Sequence, residues 1–255
     1  MLAEERRKKI IEELKEVKVI KAAELAEKYE VGVETIRRDF DALEKQGNLK
    51  KIYGGATLPE KEKQERKDFN YSTRMNSEIL EKMEIARKAV KFIEEKDTIF
   101  LNDSSTNIYL AKELRGKVKE ITVITNSLTI ASELSEMKDF TVILAGGFLD
   151  NEEKAFFGAV SENIISQFIV NKAFLSVSSI SLQDGLTDFP LKEVDIQKTM
   201  IKHSKELIIL ANSQKFETSA LIKVSDLKSI KVVITDSKLD KNIYESYKEN
   251  GIEII

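Results

Sequence analysis

Two sets of residues in this 255-residue chain have the types and spacing to do chemistry. In the first, Thr35, Arg37 and Arg38 stand together, and Lys50, Lys51 and Tyr53 follow shortly after. Paired guanidinium and ammonium groups on neighbouring elements suit phosphate oxygens, while Thr and Arg can also reach base edges. In the second, small polar residues recur after apolar runs: Asn102, Ser104, Ser105 and Thr106, then Thr125, Asn126 and Ser127, then Gly146 and Gly147. Hydroxyls and free N–H groups at helix starts suit an oxyanion, and glycine lets backbone come close to it. Lys215, reached through Asn212, Ser213 and Gln214, would add a charge-assisted bond. Taken singly each is an ordinary N-cap or surface group. Their recurrence at the same end of successive strands favours a polar, anion-binding cleft.

The first set needs a helix to hold it. Ile36, Phe40 and Leu43 recur at helical spacing over 34–46 and form one apolar face, so Thr35, Arg37 and Arg38 look elsewhere. Gly47 and Asn48 stop that helix, and Lys50, Lys51 and Tyr53 lie on a short extended run ending at Gly54 and Gly55. Upstream, Ile10, Ile11, Leu14 and Val17 mark a first amphipathic helix, and Val19 and Ile20 a short extended piece. Ala22, Leu25, Ala26 and Tyr29 mark a second helix whose small residues permit a close crossing. Three helices, a tight turn and a basic ribbon are what a winged helix-turn-helix offers to DNA.

Composition bounds the rest. With 42% hydrophobic and 33% charged residues the chain is an ordinary globular protein. It has no cysteine, which excludes a disulfide framework and a thiolate metal site. No apolar run of about eighteen residues is present, and the start MLAEERRKK lacks a signal-peptide core, so no membrane contact and a cytoplasmic location are expected. A net charge of −3 excludes a generally basic surface, so any phosphate-facing charge is local.

Beyond residue 57 the pattern changes. The stretch 58–76 is polar and charged and reads as a linker, part helical, after a DNA-binding domain at 1–57. From 77 to 255 short apolar runs at 98–101, 121–125, 140–144, 173–177, 207–211 and 232–235 alternate with helical patterns. That rhythm predicts an α/β domain with a mainly parallel, Rossmann-like sheet covered on both faces. Ligands bind such sheets at the carboxyl ends of the strands, where the second set of residues falls. His203, the single histidine, reads as surface, Asp236 as a turn residue, and Met75, Met83 and Met200 as core filling. No metal and no cofactor is expected.

TIRRDF followed by LEKQGNLKKIYGGA resembles the signature of the DeoR family of bacterial transcription regulators. The likeness extends through Ser105-Thr106, Thr125-Asn126-Ser127, Gly146-Gly147, Gly158, Asp184 to Thr187, Glu193, Lys215-Phe216 and Thr235-Asp236. It implies an effector domain similar in fold to ribose-5-phosphate isomerase and the CoA transferases, sensing a phosphorylated sugar. By the same resemblance Ser105, Thr106, Thr125, Asn126 and Lys215 would hold the phosphate, with Glu193 and Lys198 at the sugar end. The chain departs from the family in having Gly32 for the usual turn Ser and Tyr53 where His is common. It also has Asn102 and Asn212 for Asp, Ser104 for Gly and Gln197 for Lys, which remove carboxylates and a cation from the cleft.

Three functions compete. The first is a regulator, in this family most often a repressor of a sugar-metabolism operon, with a double-stranded operator and a phosphorylated sugar as partners. Paired half-sites would call for a homo-oligomer, a dimer or tetramer. The second is an aldose-phosphate isomerase, which would need a carboxylate base, with Glu193 the one obvious candidate. The third is an architectural DNA-binding module with an unliganded second domain.

Overall fold

A computed structural model describes residues 3–17, 19–45, 48–52, 54–57 and 71–255. The chain forms two compact units, Met1–Asn70 and Tyr71–Ile255.

The first unit runs α1 (Ala3–Val17), β1 (Val19–Lys21), α2 (Ala22–Lys28), α3 (Val33–Lys45), β2 (Lys50–Ile52) and β3 (Gly55–Thr57). Ile10, Leu14, Leu25, Ile36, Phe40, Leu43 and Leu49 fill one core between the helices and the small sheet. The apolar spacing of α3 explains its orientation, because Ile36, Phe40 and Leu43 can be buried together on one face only. The strands lie in the order β1-β3-β2, antiparallel, so the extended piece at Val19 and Ile20 completes the wing sheet. Gly55 is required there: a Cβ on it would stand 2.1 Å from the Ile20 carbonyl oxygen. Gly47, expected to stop α3, and Tyr53 lie outside the described residues; Asn48 N donates to Leu43 O at 2.9 Å.

The second unit starts earlier than its sequence pattern suggests. Residues 71–76 read as linker, but Tyr71–Asn76 forms a short helix, α4, with Tyr71 and Met75 packed on the second unit's core. After α5 (Ile79–Ala89) come β4 (Thr98–Leu101), α6 (Ser105–Glu113), β5 (Thr122–Thr125), α7 (Leu128–Leu134) and β6 (Thr141–Leu144). A hairpin, β7 (Phe148–Asp150) and β8 (Ala155–Phe157), precedes α8 (Ala159–Ile165) and β9 (Val170–Leu175). Then follow β10 (Ser179–Ser181), β11 (Gly185–Asp188), α9 (Leu191–Lys202), β12 (Ser204–Leu210), β13 (Ile222–Ser225), β14 (Val232–Ile234) and α10 (Lys241–Glu249).

All six apolar runs enter one parallel sheet, in the order β14-β12-β9-β4-β5-β6. Both faces are buried, so successive residues feed different cores: Phe100, Ile124 and Ile209 join one, Ile99, Leu101, Val123, Ile208 and Leu210 the other. The chain builds outward from β4 to β6 and later outward from β9 to β14. The direction of winding therefore reverses between β4 and β9, the place where such sheets open a crevice. The hairpin β7-β8 and the antiparallel sheet β10-β11-β13 are additions of three- and four-residue strands.

Candidate functional site

On the first unit, α3 leaves Arg37 and Arg38 exposed and Thr35 half-buried. Arg37 Nη1 pairs with Glu34 Oε2 at 3.1 Å. Asp39, next to the arginines in sequence, points inward: its carboxylate receives Arg6 Nε at 2.6 Å and Arg7 Nε at 2.8 Å. Lys51 N donates to Glu44 Oε1 at 2.8 Å, and the Lys51 ammonium pairs with Asp41. Its hydrogen bond to Asp41 raises the Lys51 pKa and lowers that of Asp41. Exposed pairs of this kind are weak, so a phosphate oxygen can take the lysine. Lys50 is half-buried beside it on β2.

On the second unit, the loops after the parallel strands meet at one edge of the sheet. Asn102, after β4, accepts at Oδ1 from Ser176 N (3.1 Å) and Asn107 Nδ2 (2.8 Å) and donates from Nδ2 to Ser176 O (3.0 Å). It thus ties the ends of β4 and β9 across the reversal. Ser176 and Val177 were expected to continue β9; the strand ends at Leu175 because side chains bond their backbone. Lys215 is one of those side chains, its Nζ reaching Val177 O at 2.7 Å and Ser176 Oγ at 3.0 Å. Burial brings its pKa down to about 8, with Arg74 and Lys82 acting the same way and Asp188 opposing.

Several residues of the second set are committed to the fold. Ser104 Oγ caps α6 through Asn107 N (3.1 Å), Thr125 Oγ1 accepts from Ser127 N (3.0 Å), and Ser127 Oγ caps α7 through Ile130 N (3.3 Å). Ser105 and Thr106 are buried at the start of α6. Gly146 O accepts from Ser161 Oγ at 2.8 Å, and a Cβ on Gly147 would stand 2.4 Å from that same Oγ. Asn126 Nδ2 donates to Asp103 Oδ1 at 3.1 Å and Phe156 O at 3.2 Å. Lys198 is placed away from the cleft. It is exposed, whereas Glu193 and Gln197, one helical turn apart, share the buried face of α9.

Glu193 is not the single carboxylate of the cleft. Oxygens of Asp103, Glu153 and Glu193 lie within 4.8 Å of one another. Asp188, 2% exposed, is nearby and accepts from Gln197 Nε2 at 2.8 Å and Phe189 N at 2.9 Å. Burial raises Glu193 well above the usual carboxylate range, with Asp103 and Asp188 adding to it and Arg74 holding it back. Asp103 and Glu153 are raised for the same first cause. The buried oxygens Asp103 Oδ2, Glu193 Oε1, Asn126 Oδ1 and Gln197 Oε1 have no hydrogen-bond partner among the described residues. These three carboxylates could share a cation, and the Arg74 guanidinium, paired with Glu153, already brings positive charge to them.

Sequence reading missed Arg74, Asp103, Glu153 and Asp188. Asp103 sits inside the polar loop after β4 and was within reach of the pattern. Arg74 and Glu153 stand in charged stretches whose spacing carries no signal. Asp236, expected in a turn, is there: its carboxylate accepts from Ser213 N at 2.7 Å and Lys238 N at 3.0 Å.

Residues 6–62 match the DeoR-like helix-turn-helix domain and residues 77–237 the DeoR C terminal sensor domain. The chain is 33% identical to the HTH-type transcriptional regulator GolR of Listeria innocua, across 98% of this chain and 97% of that one. It is 30% identical to the HTH-type transcriptional repressor GlcR of Bacillus subtilis, across 100% and 96%. It is 27% identical to the glycerol-3-phosphate regulon repressor of Escherichia coli, across 96% and 95%. Among solved structures, a D-ribose-5-phosphate isomerase in complex with phospho-erythronic acid is similar over 53% of this chain and 52% of that one, at 19% identity and a TM-score of 0.40, too low to carry a functional argument. With a helix-turn-helix on one unit and a parallel-sheet sensor domain on the other, the chain belongs to the DeoR family of transcriptional regulators.

Proposed function

We propose that the chain represses a sugar-metabolism operon and is released from, or held on, its operator by a phosphorylated sugar bound in the cleft. The observation that carries this is the two-ended chemistry of the cleft. One group is the half-buried Lys215 ammonium, and the other is Asp103 and Glu193, with buried oxygens that lack donors among the described residues. A phosphate suits the first and hydroxyl groups suit the second, each hydroxyl donating to an orphaned acceptor. Arg37, Arg38, Lys50 and Lys51 face the DNA in this reading, and a cytoplasmic homo-oligomer presents two heads to paired half-sites.

A thermal-shift screen of the full chain tests it. Phosphorylated sugars should raise the melting temperature, because a ligand bound by the folded state alone stabilises it, while unphosphorylated counterparts should not. No shift with any phosphorylated sugar would defeat the reading. Glu193 gives one reason to consider an isomerase, since that reaction needs a carboxylate base and burial raises this carboxyl above the ordinary range. We assign no turnover, and catalysed aldose-to-ketose conversion abolished by Glu193→Gln would reverse that assignment.

A further inference from the structure

The helix α4 contains no buried residue. Tyr71 and Met75 rest half-buried on a core, and the other ties of the helix are polar. Tyr71 Oη lies 3.0 Å from Thr129 Oγ1. Arg74 reaches Glu153 in the cleft, with 21% of its side chain exposed. The backbone carbonyl of Arg74 is taken by Lys82, whose ammonium also donates to Ser77 O at 2.6 Å and Ser77 Oγ at 3.4 Å. Lys82 is only 4% exposed, and burial lowers its pKa. A buried lysine committed to carbonyls at the end of one short helix fixes the point from which the Arg74 side chain sets out.

What Arg74 reaches is the site itself. Its charge bears on Glu193, Glu153 and Asp103, which together outweigh the burial that opposes it. It also bears on Lys215, whose ammonium it disfavours. Two cations that disfavour each other in a buried space are both relieved by an anion placed between them. A guanidinium fork, with five donors, can serve Glu153 and such an anion together.

We propose that Arg74 is the second cation of the anion site, so that an anionic ligand in the cleft pins α4 through it. The inference rests on the sensor reading above and adds to it a ligand-binding residue and a consequence. Tyr71 begins the second unit, and α4 is the first described element of that unit after the DNA-binding unit. Occupancy of the cleft then sets how firmly α4 is held.

The chain has no cysteine, so Met75→Cys places a single thiol under α4 in the full-length protein. Its modification by a disulfide reagent reports how often the helix lifts. Without ligand, Arg74→Gln and Glu153→Gln in this background should each label about tenfold faster, with Arg74→Lys in between and the main melting transition kept. Millimolar inorganic phosphate should raise the melting temperature of the parent and slow its labelling several-fold, and should not slow Arg74→Gln. Parental labelling rates in both Gln variants overturn the anchoring role. Slowing by phosphate that persists in Arg74→Gln overturns Arg74 as an anion ligand and leaves the cleft reading standing. A parent whose melting and labelling both ignore phosphate overturns the cleft reading and the inference with it.

Discussion

Arg6 Nε meets Asp39 Oδ2 at 2.6 Å inside the first unit, with the arginine 6% and the aspartate 1% exposed. Two neighbours in the TIRRDF motif thereby take opposite roles: Arg38 is held outward because Asp39 is held inward.

Asp39→Asn should therefore act on stability. It leaves Arg6 buried without its counter-charge, a loss of about 3–5 kcal/mol for a broken buried pair. Calorimetry should show the first unit's transition falling while the second unit's stays in place. A double change, Arg6→Met with Asp39→Leu, should recover much of the loss, because the pair is removed whole.

The outward groups should act on DNA. Arg37→Ala with Arg38→Ala should weaken binding to a duplex carrying the operator, with melting unchanged. Lys51→Ala should lower the slope of log K against log salt by about 0.9, the value of one phosphate contact. Asp41→Asn should do the reverse and tighten binding, since it removes one of the two carboxylates paired with the Lys51 ammonium. Titrations at several salt concentrations check all three, and an unchanged affinity in the double arginine variant would remove α3 from the interface.

Anion binding in the cleft should fall as pH rises through about 8, where the Lys215 ammonium loses its proton. Sugar phosphates are fully dianionic there, so the ligand itself no longer titrates, and loss of the Lys215 charge makes the fall approach about tenfold per pH unit. Stability moves the other way. The folded value lies below the ordinary 10.5, so the unfolded chain holds more protons between about 8 and 10.5, and stability rises with pH across that window. Lys215→Ala should lower phosphate affinity about ten- to a hundredfold and abolish the pH dependence, as calorimetry across this range would show.

Glu193→Gln should stabilise the second unit at neutral pH. Burial raises the folded pKa above the ordinary 4.5, so the unfolded chain gives up its proton first. The stability that this group contributes is present below about 4.5 and is lost as pH rises through the folded value. Removing the ionisable group should raise the melting temperature by roughly 2–4 °C if about 1 kcal/mol is relieved. Sugar-phosphate affinity should fall in the same variant, because an orphaned acceptor becomes an amide.

The sequence exposed the sheet because its strands other than the edge strand β6 are largely buried on both faces, which leaves continuous apolar runs such as Ile208 to Leu210. The strands of β7, β10 and β13 are too short for alternation to show. The recognition helix was legible from Ile36, Phe40 and Leu43, and the polar loops from their place after strands. What stayed hidden were pairings across long separations. Arg74 and Glu153 are ordinary charged residues until the fold brings them together, and Lys198 looked equivalent to Gln197 although 100° of helical turn separates a cleft residue from an exposed one.

The way α4 is fastened has a thermal consequence. Heat-capacity change follows apolar area exposed, and this helix, which buries no residue, exposes little when it lifts. Its opening free energy should therefore run nearly linearly with temperature, whereas the core beneath it has the curved stability of any apolar assembly. The Arg74–Glu153 link is largely shielded from water, so added salt should screen it less than it screens an exposed pair.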